Sequence, residues 1–195
     1  MSNPDPKQQF AKNFQELARL ASQAAKQTID DIQKAGDLIV AALQNGNKIL
    51  ACGNGGSAAD AQHFVGEFIG RFYLERKPLP AITLSADTSI LTAVGNDYGF
   101  EKIFSRQIQG LGKAGDVLLA LTTSGKSKNI IEAIAVAKQC GLKTIVLTGS
   151  DSSEVADSDV CFSVPSTDTP RIQEIHTALL HNICQYMEEK IFNQN

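Results

Sequence analysis

At 195 residues, 43% hydrophobic and 20% charged, the chain has the size and balance of one folded domain with a sizeable apolar core, which excludes a fibrous, disordered or membrane-embedded protein. A formal net charge of −3 provides no basic field for nucleic acid or an anionic membrane, so neither is an expected partner and any anion site must be local. The polar N-terminus and the lack of an apolar run of ~18 residues point to a cytoplasmic protein, and its four cysteines, Cys52, Cys140, Cys161 and Cys184, form no C-x-x-C pair and are expected as buried thiols, not disulfides.

The first two elements read as helices. Residues 7–28 put Phe10, Phe14, Leu17, Leu20 and Ala21 on one face at helical spacing, and residues 29–44 repeat the pattern with Ile32, Ile39, Ala42 and Leu43 before an Asn45-Gly46 stop. From Lys48 onward short apolar runs alternate with helical patterns, as βαβ units around a parallel sheet require. Five strands are legible, at 48–52, 81–85, 116–122, 143–149 and 160–164, with helices at 57–70, 87–94, 99–110, 127–139 and 169–192. A single domain over 1–195 is expected, helical at about 7–45 and α/β at about 48–192.

Ligands of open parallel sheets bind outside the carboxyl ends of the strands, so the loops there come first. The first strand runs into Gly53-Asn54-Gly55-Gly56-Ser57 and then a helix, which offers free backbone N–H groups and the positive end of a helix dipole to a phosphate or polyhydroxyl group. Gly53-x-Gly55-x-x-Ala58 also fits a dinucleotide loop, but the acid that would hold the ribose, expected ~20 residues on, is late here, the nearest being Asp87. The third strand ends in Thr122-Thr123-Ser124-Gly125-Lys126-Ser127, four hydroxyls and several backbone donors before another helix. The Gly-Lys-Ser resembles a P-loop, yet the first glycine of that motif falls at Ala120, and a helix cap would need only one of the hydroxyls; a phosphate cradle fits better.

Two helices carry the remaining chemistry. Asp60, His63 and Glu67 share a stripe about 60° wide beside the apolar Phe64, Val65 and Phe68, so His63 and Glu67 face the same way. The last helix holds two of the three histidines, His176 and His181, about 140° apart around its axis. Gln173 and His181 lie about 12 Å apart along that helix and can lean toward a common point, whereas His176 points elsewhere.

In combination, Cys-Gly-Asn-Gly-Gly-Ser at 52–57, His63-x-x-x-Glu67, Gly95-Asn96-Asp97, Thr122-Thr123-Ser124-Gly125-x-Ser127 and Arg171-Ile172-Gln173-Glu174-x-His176 resemble the phosphoheptose isomerases of the sugar isomerase (SIS) superfamily, over about residues 10–192. The resemblance implies a three-layer, flavodoxin-like five-stranded parallel sheet flanked by helices, with two N-terminal helices and a long C-terminal one. It implies a homotetramer with active sites at subunit interfaces and conversion of sedoheptulose 7-phosphate to a heptose 7-phosphate for bacterial lipopolysaccharide or other surface glycans. His63, Glu67, Gln173 and His181 match the family's metal ligands, usually for one zinc ion, and Glu67 and His181 also match its base and acid. Asn54, Gly55, Gly56, Asn96, Asp97, Thr122, Thr123, Ser124, Ser127 and Gln173 match substrate-binding positions, and Ser57 joins them from the glycine loop. One departure is Pro170, where some members carry an Asp; the nearest here is Asp168.

Such an isomerase needs a base, an acid and a group that stabilises an enediolate oxygen, which this set supplies. The rival from another class is a related non-catalytic protein that binds the bacterial replication initiator. Ala61-Gln62-His63-Phe64 and Leu79-Pro80-Ala81-Ile82 resemble it, but it lacks the counterparts of Glu67 and His181. Sugar-phosphate sensors and arabinose 5-phosphate isomerases of the superfamily usually carry an additional module, for which two N-terminal helices and a final strand-helix unit leave no segment.

Overall fold

A computed structural model describes residues 6–192; residues 1–5 and 193–195, parts of the expected domain and of its polar start, lie outside them. The described chain begins with helices α1 (Pro6–Gln27) and α2 (Ile29–Gln44). It continues as β1 (Ile49–Gly53), α3 (Gly56–Ile69), β2 (Ala81–Thr83), α4 (Thr88–Tyr98), a single 3-10 turn (Phe100–Lys102), α5 (Ser105–Leu111) and β3 (Val117–Leu121). The last part is α6 (Lys128–Gln139), β4 (Lys143–Thr148), β5 (Val160–Ser163) and α7 (Thr169–Phe192).

The five strands form one sheet in the order β2-β1-β3-β4-β5, every pair parallel. Strands alternate their side chains between two faces. Ile49, Ala51, Val117, Leu119, Leu121, Ile145 and Leu147 pack with α2, α3 and α7, while Leu50, Cys52, Leu118, Ala120 and Val146 pack with α5 and α6. Both faces are covered, which is why β1 and β3 read as unbroken apolar runs. The three-layer, flavodoxin-ordered α/β architecture expected from the sequence is the one observed. From β1 the chain steps outward to β2 and then returns across β1 to β3, so the topological switch point lies between the carboxyl ends of β1 and β3. The glycine loop and the hydroxyl loop flank that point.

Three local departures have physical causes. Gly95-Asn96-Asp97, read as a break between helices, is helical: Asp87 caps α4 by accepting the Ile90 N–H at 2.9 Å, and the helix continues to Tyr98, where Gly99 at φ +94° stops it. The helix read at 99–110 is therefore a 3-10 turn followed by a shorter α5. The apolar stripe of α1 is real but runs past the edge of the core, since Leu20 is buried while Phe10 and Phe14 are 61% and 74% exposed. All four cysteines are free, Cys52 and Cys184 buried and Cys140 and Cys161 half-buried; burial pushes the Cys52 thiol up to about 12, so it is inert.

Candidate active site

The glycine loop turns through Gly55 at φ +54°, a conformation that favours glycine, and hands the chain to the N-terminus of α3. Ser85 braces it from the end of β2, its Oγ donating to the Gly53 carbonyl at 2.9 Å and accepting the Gly53 N–H at 3.1 Å. Asn54 is locked in a reciprocal amide pair with Asn129, at 2.9 and 2.8 Å. Asn129 is buried in the first turn of α6, immediately behind the hydroxyl loop. This pair ties the two loops together across the switch point, and sequence reading missed it. A lone Asn in a helix carries no motif, and its partner is 75 positions away.

In the hydroxyl loop Thr122 is buried, with its Oγ1 3.4 Å from Ser127 Oγ. Ser127 is the N-cap residue of α6 yet makes no side-chain cap bond, so its hydroxyl is not spent on ending the helix. Gly125, at φ +68°, lies against the backbone of Asp151, where any side chain would collide. Beside it opens a cavity of about 430 Å³ with Thr123, Ser124, Ser150, Ser166 and Thr169 in its wall and the Lys126–Asp151 ion pair, 2.8 Å, at its rim. Lys126 holds the Asp151 carboxyl below the ordinary carboxylate range.

The stripe on α3 faces α7, and the two helices run side by side in the same direction. At the loop end the Gln173 amide presses on Gly56: a Cβ there would stand 2.5 Å from Gln173 Nε2. One turn on, Thr177 Oγ1 donates to Asp60 Oδ1 at 3.1 Å. The other Asp60 oxygen is buried with no hydrogen-bond partner among the described residues. Burial raises the Asp60 carboxyl, against the Thr177 hydrogen bond and the neighbouring His63. Further along, His63, Glu67 and His181 converge.

The His63 and His181 Nε2 atoms are 2.8 Å apart, and His63 Nε2 is 3.5 Å from Glu67 Oε1. One ligand atom from each of the three lies within 4.8 Å of the others. Two imidazoles and a carboxylate form a donor set for a borderline divalent cation. Of the four sequence-predicted ligands, His63, Glu67 and His181 meet here, and the Gln173 amide lies against Gly56. His176 faces the sheet, fully buried, with Nε2–H donating to the Thr148 carbonyl at 3.2 Å. Asn96 and Asp97 sit on α4, none of whose residues is buried, and hydrogen-bond to each other at 2.8 Å.

The loop after α3 is held by two charged residues that no motif announced. Glu188 Oε1 accepts Phe72 N–H at 3.0 Å and Arg76 Nε–H at 2.8 Å, and its Oε2 accepts Tyr73 and Leu74 N–H at 2.9 and 3.0 Å. Burial alone would raise this carboxyl; the three backbone N–H groups and Arg76 outweigh it and hold it below its ordinary range.

Hydroxyl-rich and glycine-rich loops at the switch point of a 2-1-3-4-5 sheet, beside a histidine-carboxylate cluster, define a domain that binds phosphorylated sugars. The family described as SIS domain matches residues 12–149. The phosphoheptose isomerase of Geotalea daltonii is 54% identical over 159 residues, 81% of this chain and 83% of that protein, and that of Syntrophotalea carbinolica is 49% identical over 92% of each. The solved phosphoheptose isomerase of Neisseria gonorrhoeae superposes with a TM-score of 0.90 at 44% identity, over 95% of this chain and all of that one. The chain therefore belongs to the phosphoheptose isomerase family, and it is an enzyme; the initiator-binding reading falls away.

Proposed function

We propose that the protein interconverts sedoheptulose 7-phosphate and D-glycero-D-manno-heptose 7-phosphate, supplying the heptose of a bacterial surface glycan. The observation that carries this reading is the convergence of Glu67 and His181 from α3 and α7. In the ketose-to-aldose direction the base takes a proton from C1 and electrons move to the C2 carbonyl oxygen as the enediolate forms; the acid then delivers a proton at C2, and the C1 hydroxyl passes its proton to the C2 oxygen as C1 becomes the new carbonyl. Glu67 acts as the base and His181 as the acid. The phosphate sits at the helix N-termini of the two loops, with Asn54, Gly55, Gly56, Ser57, Thr122, Thr123, Ser124 and Ser127 around it. From Gly56 to His63 is about 10 Å along α3, a span suited to an open-chain sugar that reacts at the end remote from its phosphate.

His63, Glu67 and His181, with Gln173 as the fourth family position, would hold a zinc ion, which supplies Lewis-acid polarisation of the carbonyl when bound. Two oxygens let Glu67 serve both the cluster and the proton. The proposal includes a homotetramer with interface sites, supported by the exposed Phe10 and Phe14 on α1 and by α4, which buries no residue of its own and carries Asn96 and Asp97. The cytoplasmic location expected from the sequence belongs to the same proposal; separately, no helix among the described residues is long and apolar enough to cross a membrane. The test is turnover of the purified protein. It should convert sedoheptulose 7-phosphate at least a hundredfold faster than arabinose 5-phosphate; equal rates on both would sink the substrate assignment.

A further inference from the structure

We propose that Arg76 and Glu188 are positioning residues for the active site, holding the end of α3 that carries Glu67 and the loop that packs on His181. The last carbonyls of a helix have no partner within it. Here Arg76 supplies one: Nη2 donates to the Glu67 carbonyl at 2.6 Å and Nη1 to the Phe68 carbonyl at 2.9 Å. The cation thus sits at the negative end of the α3 dipole and fixes the backbone of Glu67 itself. Glu188 fixes the guanidinium in turn and gathers the N–H groups of Phe72, Tyr73 and Leu74. Phe72, so held, lays its ring 5.7 Å from that of His181, at a 34° tilt. Seven residues separate His181 and Glu188 on α7, two turns, so one face of one helix delivers both the site histidine and the clamp.

A role confined to stability explains this arrangement poorly. The Arg76 and Glu188 side chains are 2% and 1% exposed, and a buried ion pair is often replaceable by packed apolar residues without loss of stability. Apolar residues cannot hold the Glu67 carbonyl or three consecutive loop N–H groups in register. Displacement of a site group by ~1 Å costs on the order of 100-fold in rate.

The inference rests on the isomerase reading, which turnover by the wild type tests separately. Arg76→Lys keeps the charge facing Glu188 but loses the fork that spans two carbonyls; Glu188→Gln keeps the shape but not the charge. Each variant of the full-length enzyme should lower kcat on sedoheptulose 7-phosphate by about 10–100-fold with KM changed less than about twofold. The chain has three histidines, so NMR of histidine-labelled protein gives a readout independent of activity. The His63 and His181 ring signals should shift, while that of His176, buried against the sheet, stays in place. An unchanged kcat, or unmoved His63 and His181 signals, overturns the proposal. Should Glu188→Gln lose the His176 signal by failing to fold, Arg76→Lys decides by the same two readouts.

Discussion

Among single residues, Gly56 shows how far the site constrains the chain. A methyl group there meets the far end of the Gln173 side chain, which can swing away, and not backbone. Gly56→Ala is therefore expected to keep the melting temperature within a few degrees while weakening sugar-phosphate binding at least tenfold, because the displaced amide leaves its place beside the glycine loop; a variant with normal KM would show that Gln173 is not needed there. The sequence made Gly56 and Gln173 legible separately, through a motif for each, but not their contact. Asn129, Arg76 and Glu188 were not legible at all. Each is a lone polar residue whose side-chain partner lies 75 or 112 positions away, and only folding buries the pair and satisfies it.

At the scale of elements, α7 carries most of the consequences. It presents Gln173, Thr177, His181 and Glu188 toward α3 and its loop, and His176 toward the sheet. Burial pushes His176 down to about 4 from its ordinary 6.5, the bond to Thr148 offsetting only part of this. An unfolded chain takes up a proton near pH 6.5 while the folded one resists until about 4. The contribution of neutral His176 is thus fully present above 6.5 and is lost as pH falls from 6.5 to about 4, some 3 kcal/mol in all. Chemical denaturation across that window should show the decline, and His176→Gln should remove most of the slope; an unchanged slope would assign it to other groups. Glu188, a carboxyl held below its ordinary 4.5, contributes stability that is fully present above that value and is lost as pH falls below it. Helix positions were legible because apolar spacing reports burial. The extent of α4 was not, since a Gly-Asn-Asp run resembles a break, and only the cap at Asp87 and the stop at Gly99 set its ends.

For the whole molecule, the sheet was legible because buried parallel strands leave long apolar runs, as in β1, β3 and β4, and the order 2-1-3-4-5 then fixed where a ligand must sit. The faces left open are the apolar stripe at the start of α1 and the whole of α4. Burying a phenylalanine yields about 1.5–3 kcal/mol, so Phe10 and Phe14 together can contribute substantially to association. Sedimentation should give four chains per particle, and Phe14→Glu should produce smaller species with activity lowered at least tenfold. A fully active monomer would remove the oligomer from the mechanism.

Isomerisation in D2O followed by NMR reads whether Glu67 and His181 move the proton. The wild type should form heptose 7-phosphate carrying deuterium at C2, whereas Glu67→Gln and His181→Ala, folded as judged by an unchanged His176 signal, should lose at least about 100-fold of both turnover and exchange. Deuterium exchange by Glu67→Gln at the wild-type rate, or a wild-type product formed without any solvent deuterium, would rule out this base and acid pair.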